Sequence, residues 1–257
     1  MKKISLLIAL FAFAFNTAQA KEWKQIRIGV EGAYPPFSKT EEDGSVTGFD
    51  IDIANALCAE LKAECTLVKQ DWDGIIPALL GRKFDAIIAT MDITEERQKK
   101  VAFTQKYQHI PARFVAKKDV SYEGTDAFMK DKRVGVQRAT TMDLYISDNF
   151  PSAEIKRYGS ADEAYLDLKA GRLDYVMADS AAISDGLLAK DGGDQFEFVG
   201  PQLNDPKWFG YGAGIAIRKQ DKDLAEQLNK AIDAIRADGT YKKIQDQYFT
   251  FDVYGEE

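Results

Sequence analysis

The chain runs to 257 residues with 41 acidic side chains against 34 basic ones, a formal charge of −7, and no segment rich in lysine and arginine. That balance disfavours nucleic acid and anionic membrane surfaces as partners, because both are held through concentrated positive charge. Two cysteines and a single histidine are too few ligands for a metal centre, so no metal and no cofactor is expected.

The first twenty residues have the order of an export signal. Lys2 and Lys3 precede an apolar stretch over 4–15, and Ala18-Gln19-Ala20 is an A-x-A site, so cleavage is expected after Ala20. Losing this leader removes two lysines and leaves a more acidic chain over 21–257. No cysteine follows the site to take a lipid, and no later apolar run approaches the ~18 residues of a spanning helix. The expected location is a bacterial periplasm, with one large domain or two of roughly 100–150 residues.

Residues 26–30 read as a strand, and 31–37 as a loop, since Pro35 and Pro36 oppose regular pairing. Glu41-Glu42-Asp43-Gly44 has the composition of a hairpin turn. Asp50 is placed to cap a helix carrying Ile53, Leu57 and Leu61 on one side, with Asp52 as a first-turn charge. Cys58 near the end of that helix and Cys65 before the strand 66–68 are expected to form a disulfide under oxidising conditions, worth roughly 2–3 kcal/mol. Trp72-Asp73-Gly74 leads into a short helix over 75–80 with Pro77 in its first turn, closed by Gly81.

Residues 86–89 are apolar at every position, as in a strand covered on both faces. Thr94 follows as a helix N-cap, with Glu95 and Glu96 favourable in the first turn. Arg97 opposes the helix dipole by ~0.3–1 kcal/mol if exposed, which implies an anion nearby. A surface arginine snorkelling outward or pairing with a glutamate is the bland alternative. The alternation of strands and helices over 26–89 predicts a parallel sheet with crossover helices.

A second unit begins after an extended passage over 109–116, and internal repetition supports it. Arg27-Ile28-Gly29-Val30-Glu31 returns as Arg133-Val134-Gly135-Val136-Gln137, and Gly81-Arg82-Lys83-Phe84-Asp85 returns shortened as Gly171-Arg172-Leu173-Asp174. Thr140 or Thr141 then caps a helix with Leu144 and Ile146, another helix carries Tyr165 and Leu168, and a strand ends at Asp179. The last helices, 224–237 and 240–248, present apolar faces that the first unit can cover. The reading is an α/β fold of two lobes: 21–110, then 111–207, then a return of 208–257 to the first lobe, with crossings near 109–112 and 208–212.

The chain contains no G-x-S-x-G elbow, phosphate-binding P-loop or H-E-x-x-H pair. Gly210-Tyr211-Gly212-Ala213-Gly214 precedes a strand rather than a helix, unlike a dinucleotide loop. No catalytic residue is assigned. Binding has more support, because ligands of such sheets sit beyond the carboxyl ends of the strands. There the chain carries Glu31, Thr90 with Asp92, Gln137, and Asp179, beside Arg97, the helix starts at Thr94 and Thr141, and the aromatics Tyr34 and Trp72. These suit a ligand with one carboxylate, more than one cationic end and an apolar middle, which describes a basic amino acid.

The motifs Tyr34-Pro35-Pro36-Phe37, Gly48-Phe49-Asp50-Ile51-Asp52-Ile53, Trp72-Asp73-Gly74-Ile75-Ile76-Pro77, Asp85-Ala86-Ile87-Ile88, Met91-Asp92-Ile93-Thr94-Glu95-Glu96-Arg97, Gly171-Arg172-Leu173-Asp174 and Asp252-Val253-Tyr254-Gly255 carry a family resemblance. Over its mature length the chain resembles the periplasmic solute-binding proteins of polar amino acid ABC transporters, above all the lysine/arginine/ornithine, histidine and arginine binders. The resemblance implies a type II two-lobe fold with two crossover strands, a Cys58–Cys65 bridge, hinge closure on one amino acid, an inner-membrane ABC permease as partner, and a monomer.

It further implies that Arg97 grips the α-carboxylate, helped by the N–H groups of Thr90 and Thr141. Asp179 meets the α-ammonium, with Thr90 and Asp92 beside it, and Tyr34 and Trp72 sandwich the aliphatic chain. Glu31 faces the side-chain cation, with the carbonyl of Ala89 and a contact from Gln137. Aspartate is common in the family at position 31 and serine at 92, and Met142 departs from the polar residue expected there. The run from Met91 to Thr94 tilts the expected ligand to arginine, then ornithine or lysine. Histidine or an opine-type ligand, a sensory input, and a periplasmic dehydratase on the same fold are the alternatives.

Overall fold

Runs such as Ala86-Ile87-Ile88-Ala89, apolar at consecutive positions, become strands only where both faces are covered. The computed structural model describes residues 23–255, so the leader and its cleavage site lie outside the described residues. It contains two five-stranded sheets of one design. The first orders its strands Glu64–Lys69, Gln25–Val30, Ala86–Ile87, Ala213–Ile217, Ala102–Gln108; the second orders them Glu154–Tyr158, Arg133–Gln137, Tyr175–Asp179, Ala112–Lys117, Phe196–Leu203. In each, the first three strands run parallel and the fourth is antiparallel to both neighbours. Two sheets flanked by helices give the two-lobe, type II α/β architecture.

The internal repeat has a physical cause. Arg27 gives its backbone N–H and Nε to Asp85 Oδ2 at 3.1 and 3.0 Å, and Arg133 does the same to Asp174 Oδ2 at 2.8 and 3.1 Å. In both lobes an arginine opening one strand thus grips the aspartate just before its parallel neighbour, which sets the register between them. Asp85 is also held by the buried Arg218 at 2.9 Å, and these guanidinium contacts bring its carboxyl down to about 2 against the cost of burial.

Several local expectations are corrected. Asp50 is not a cap. Gly48 precedes the helix Phe49–Leu61, at φ 127° and pressed so closely on the Phe37 carbonyl that a Cβ has no room, and Asp50 turns inward to Thr90 and Tyr107. The helix after it is Trp72–Leu80, three residues longer at its start, so Pro77 lies inside rather than in the first turn. Within 31–37, Ala33–Tyr34 pairs with Ser38–Thr40, which pairs with Val46–Thr47; the prolines occupy the turn between strands, where no ladder bond is lost. Leu144 is 53% exposed, because the helix Thr141–Asn149 buries Met142 and Ile146 instead.

Other expectations match. Cys58 and Cys65 form a disulfide with Cα atoms 6.2 Å apart. Thr94 caps its helix through its side-chain oxygen, and of Thr140 and Thr141 it is Thr140 that does so; Ser160, not assigned as a cap from sequence, caps the next helix. The helices Lys222–Ala237 and Thr240–Tyr248 pack on the helix Phe49–Leu61, covering the first lobe. Between the second-lobe strand ending at Leu203 and the first-lobe strand starting at Ala213, Trp208 and Phe209 pack against Tyr145 of the second lobe. The Gln108–Ala112 link makes the other crossing, held where the His109 N–H donates to the Val253 carbonyl at 2.6 Å.

Candidate ligand-binding cleft

The carboxyl ends of the parallel strands in both lobes face one another across a narrow cavity of about 20 Å³. The first lobe contributes Glu31 beyond the strand Gln25–Val30, Tyr34 from the small hairpin sheet, Trp72 from the first turn of a helix, Ala89, Thr90 and Asp92 after the Ala86–Ile87 strand, and Arg97. From the second come Gln137 at a strand end, Thr141 at a helix start and Asp179 at a strand end, together with Thr140 and Met142, which were not assigned from sequence. All ten residues singled out from the sequence line this one space.

The lobes meet directly around it. Tyr34 Oη donates to Asp179 Oδ2 at 2.8 Å and accepts the Asp179 N–H at 3.1 Å. Thr141 Oγ1 donates to Asp92 Oδ2 at 2.7 Å, and Gln137 Nε2 donates to Glu31 Oε1. At the rim, Trp72 Nε1 donates to the Ala139 carbonyl at 3.2 Å and Arg138 Nε pairs with Asp73 Oδ2 at 2.8 Å. Ala139 sits at φ 60°, which turns the segment after Gln137 towards the first lobe. These contacts join two lobes far apart in sequence, so the arrangement is a shut one.

Charge is unevenly distributed in the cavity. Arg97 turns inward rather than snorkelling: Nη1 donates to the Asp92 carbonyl at 3.0 Å and the guanidinium lies 5.2 Å from the Trp72 ring centre. Burial lowers its pKa while Asp92 and Asp179 oppose that shift. Glu31 is 6% exposed, and burial pushes its carboxyl up to about 7 against the Gln137 hydrogen bond. Asp179 is pushed well up, by burial first and then by the charge of Asp92, while the Tyr34 hydroxyl works the other way. Burial also raises Asp92, opposed by Arg97 and the Thr141 hydroxyl. Three carboxyl groups thus share one guanidinium, and burial raises the pKa of each.

Two details differ from the roles implied by resemblance. The Thr90 N–H is spent on Tyr107 Oη at 2.9 Å and its hydroxyl on Asp50 Oδ2 at 2.9 Å, so neither is free for a carboxylate. Tyr34 is more than a flat plate, since its hydroxyl is tied to Asp179 while its ring stacks on Phe37 at 5.8 Å. Sequence reasoning missed Tyr107, which carries no local signal, and Thr140, whose only signal was its place beside Thr141.

Comparison with known proteins agrees with this fold. The sequence model of the bacterial extracellular solute-binding proteins, family 3, matches residues 26–251. The chain is 52% identical to the L-arginine-binding protein of Pseudomonas aeruginosa over 257 residues, covering 99% of each. It is 42% identical to the histidine-binding periplasmic protein of Salmonella typhimurium, covering 99% of this chain and all of that one. Among solved structures, a Salmonella typhimurium periplasmic binding protein of high arginine specificity superposes with a TM-score of 0.82 at 35% identity, over 88% of this chain and 100% of the other. A match along nearly the whole described chain, with the same fold, means that this chain belongs to family 3 of the bacterial extracellular solute-binding proteins.

Proposed function

We propose that the protein captures a basic L-amino acid, arginine first and then ornithine or lysine, in the periplasm and delivers it to an inner-membrane ABC permease, without catalysis. The carrying observation is the charge imbalance of the shut cavity: Glu31, Asp92 and Asp179 against Arg97. A zwitterion with a cationic side chain brings two positive groups and one negative, so every charge gains an opposite partner and the several kcal/mol of desolvation per ion is offset. A neutral amino acid leaves Glu31 with only the Gln137 amide. The names of the relatives support the same ligand class.

In this reading Arg97 holds the α-carboxylate and Asp179, with Asp92, holds the α-ammonium. Trp72 and Tyr34 flank the aliphatic chain, where cation–π attraction adds ~0.5–2 kcal/mol. Glu31, Gln137 and Ala89 surround the far cation, and Thr90 and Thr141 line the sides. The ligand touches both lobes only when they are shut, so binding shifts the population to the closed form. Export through the leader, cleavage after Ala20, a monomeric state and lobes spanning 21–110, 111–207 and 208–257 belong to the same proposal.

A thermal-shift screen of the twenty amino acids plus ornithine and citrulline tests it. A ligand at a hundredfold its Kd adds about 2.7 kcal/mol, or roughly 5–11 °C in Tm for a domain of this size. Arginine is expected to give the largest shift. Equal shifts with arginine and glutamine would refute the charge argument, and a larger shift with histidine would replace the assigned ligand.

A further inference from the structure

Thr90 has φ 48°, in the left-handed region that strains a β-branched residue. It is held there by a closed ring of hydrogen bonds just outside the cavity. Its N–H donates to Tyr107 Oη at 2.9 Å, its Oγ1 donates to Asp50 Oδ2 at 2.9 Å, and Tyr107 Oη donates to Asp50 Oδ1 at 2.8 Å. Asp50 and Tyr107 are fully buried, and neither lines the cavity.

A carboxylate is a costly choice for this position. It accepts one hydroxyl on each oxygen, whereas an amide would turn its N–H groups towards one of those donors, so the charge is kept despite its desolvation cost. No cationic side chain is among the groups that hold Asp50; hydrogen bonds from Tyr107 and Thr90 and its place in the first turn of the helix Phe49–Leu61 favour its charge. That charge is nonetheless felt in the cavity, where it raises the carboxyls of both Glu31 and Asp179.

We propose that Asp50 is a positioning and specificity-setting residue: through Tyr107 and Thr90 it shapes the wall of the cavity, and its buried charge biases the site towards cationic side chains without touching the ligand. This rests on the cationic ligand proposed above.

The test is calorimetric titration at pH 8 of the parent chain, Asp50→Asn and Tyr107→Phe, each with arginine and with citrulline, its uncharged near-isostere. One charge acting over roughly 10 Å at an effective dielectric near 20 changes affinity about tenfold. Asp50→Asn is expected to lower the arginine-to-citrulline affinity ratio by about that factor. Tyr107→Phe, which removes one of the donors stabilising the charge, should lower it less, by about threefold. A purely structural role would weaken both ligands together and leave the ratio unmoved. A parent without preference for arginine overturns the proposed function and this inference with it. A parent that prefers arginine, with Asp50→Asn keeping the full preference, overturns this inference alone. If Asp50→Asn does not fold, Tyr107→Phe decides, and an unchanged ratio overturns the inference.

Discussion

Asp179→Asn separates binding from stability. Asp179 is 7% exposed, and Tyr34 Oη occupies one of its oxygens at 2.8 Å, leaving the other for the ligand's α-ammonium. The substitution keeps the size and one acceptor, but with that acceptor turned to Tyr34 the new amide N–H groups face the ammonium. Losing one partner of a buried, hydrogen-bonded charge pair costs about 2–5 kcal/mol, which is roughly thirtyfold to a few thousandfold in Kd. The ligand-free protein should respond in the opposite direction. Its Asp179 carboxyl is pushed well up by burial and by Asp92, so replacing it relieves an unfavourable charge. Calorimetric titration with arginine, paired with urea unfolding of the ligand-free protein, reads both effects. Affinity within about threefold of the parent would refute the assignment of Asp179 to the ammonium.

Three further outcomes are expected. Glu31 and Asp50 have folded values of about 7, above their ordinary 4.5 and 3.8, so the folded state holds their protons more tightly than the unfolded chain does. The stability they contribute is present below those ordinary values and is lost as pH rises through about 7. Between pH ~5 and ~8 the ligand-free Tm should lose this contribution while the Tm increment from arginine grows, because protons and the cation compete for Glu31; equal increments at both ends would contradict this. Asp85→Asn removes one of two carboxylates that hold Arg218, whose side chain is 3% exposed and which keeps Asp221 at 2.6 Å; losing a charged hydrogen-bond partner costs about 1.5–3 kcal/mol, and urea unfolding should show a drop of that order without a change in ligand preference. Arg138→Ala removes a half-exposed pair across the rim, worth about 0–1 kcal/mol. Stopped-flow titration should show faster release and up to about fivefold weaker binding, equal for arginine, lysine and ornithine and vanishing at high salt.

Much of the fold was legible because its causes are local. Helix caps at Thr94 and Thr140 satisfy N–H groups within three residues, and the apolar run 86–89 supplies the covered strand Ala86–Ile87. The repeated arginine and aspartate of the two lobes showed in short motifs because each pair opens neighbouring strands. The ten cavity residues were recognised from strand ends and motif resemblance, and they converge because parallel strands all finish on one side of a sheet.

The sequence by itself determined the main helices and the central parallel strands, the two-lobe design and which residues could line a cleft, but not the small hairpin sheet or the strands Glu154–Tyr158 and Phe196–Leu203. Only the tertiary structure decided that Asp50 leaves its helix start for the Thr90–Tyr107 ring, that the Thr90 N–H is spent inside the first lobe, and that Trp72 reaches the carbonyl of Ala139. Such bonds join residues that are 17 to 67 positions apart. No periodicity or capping rule reaches that far, because their geometry is set by how whole strands and lobes pack.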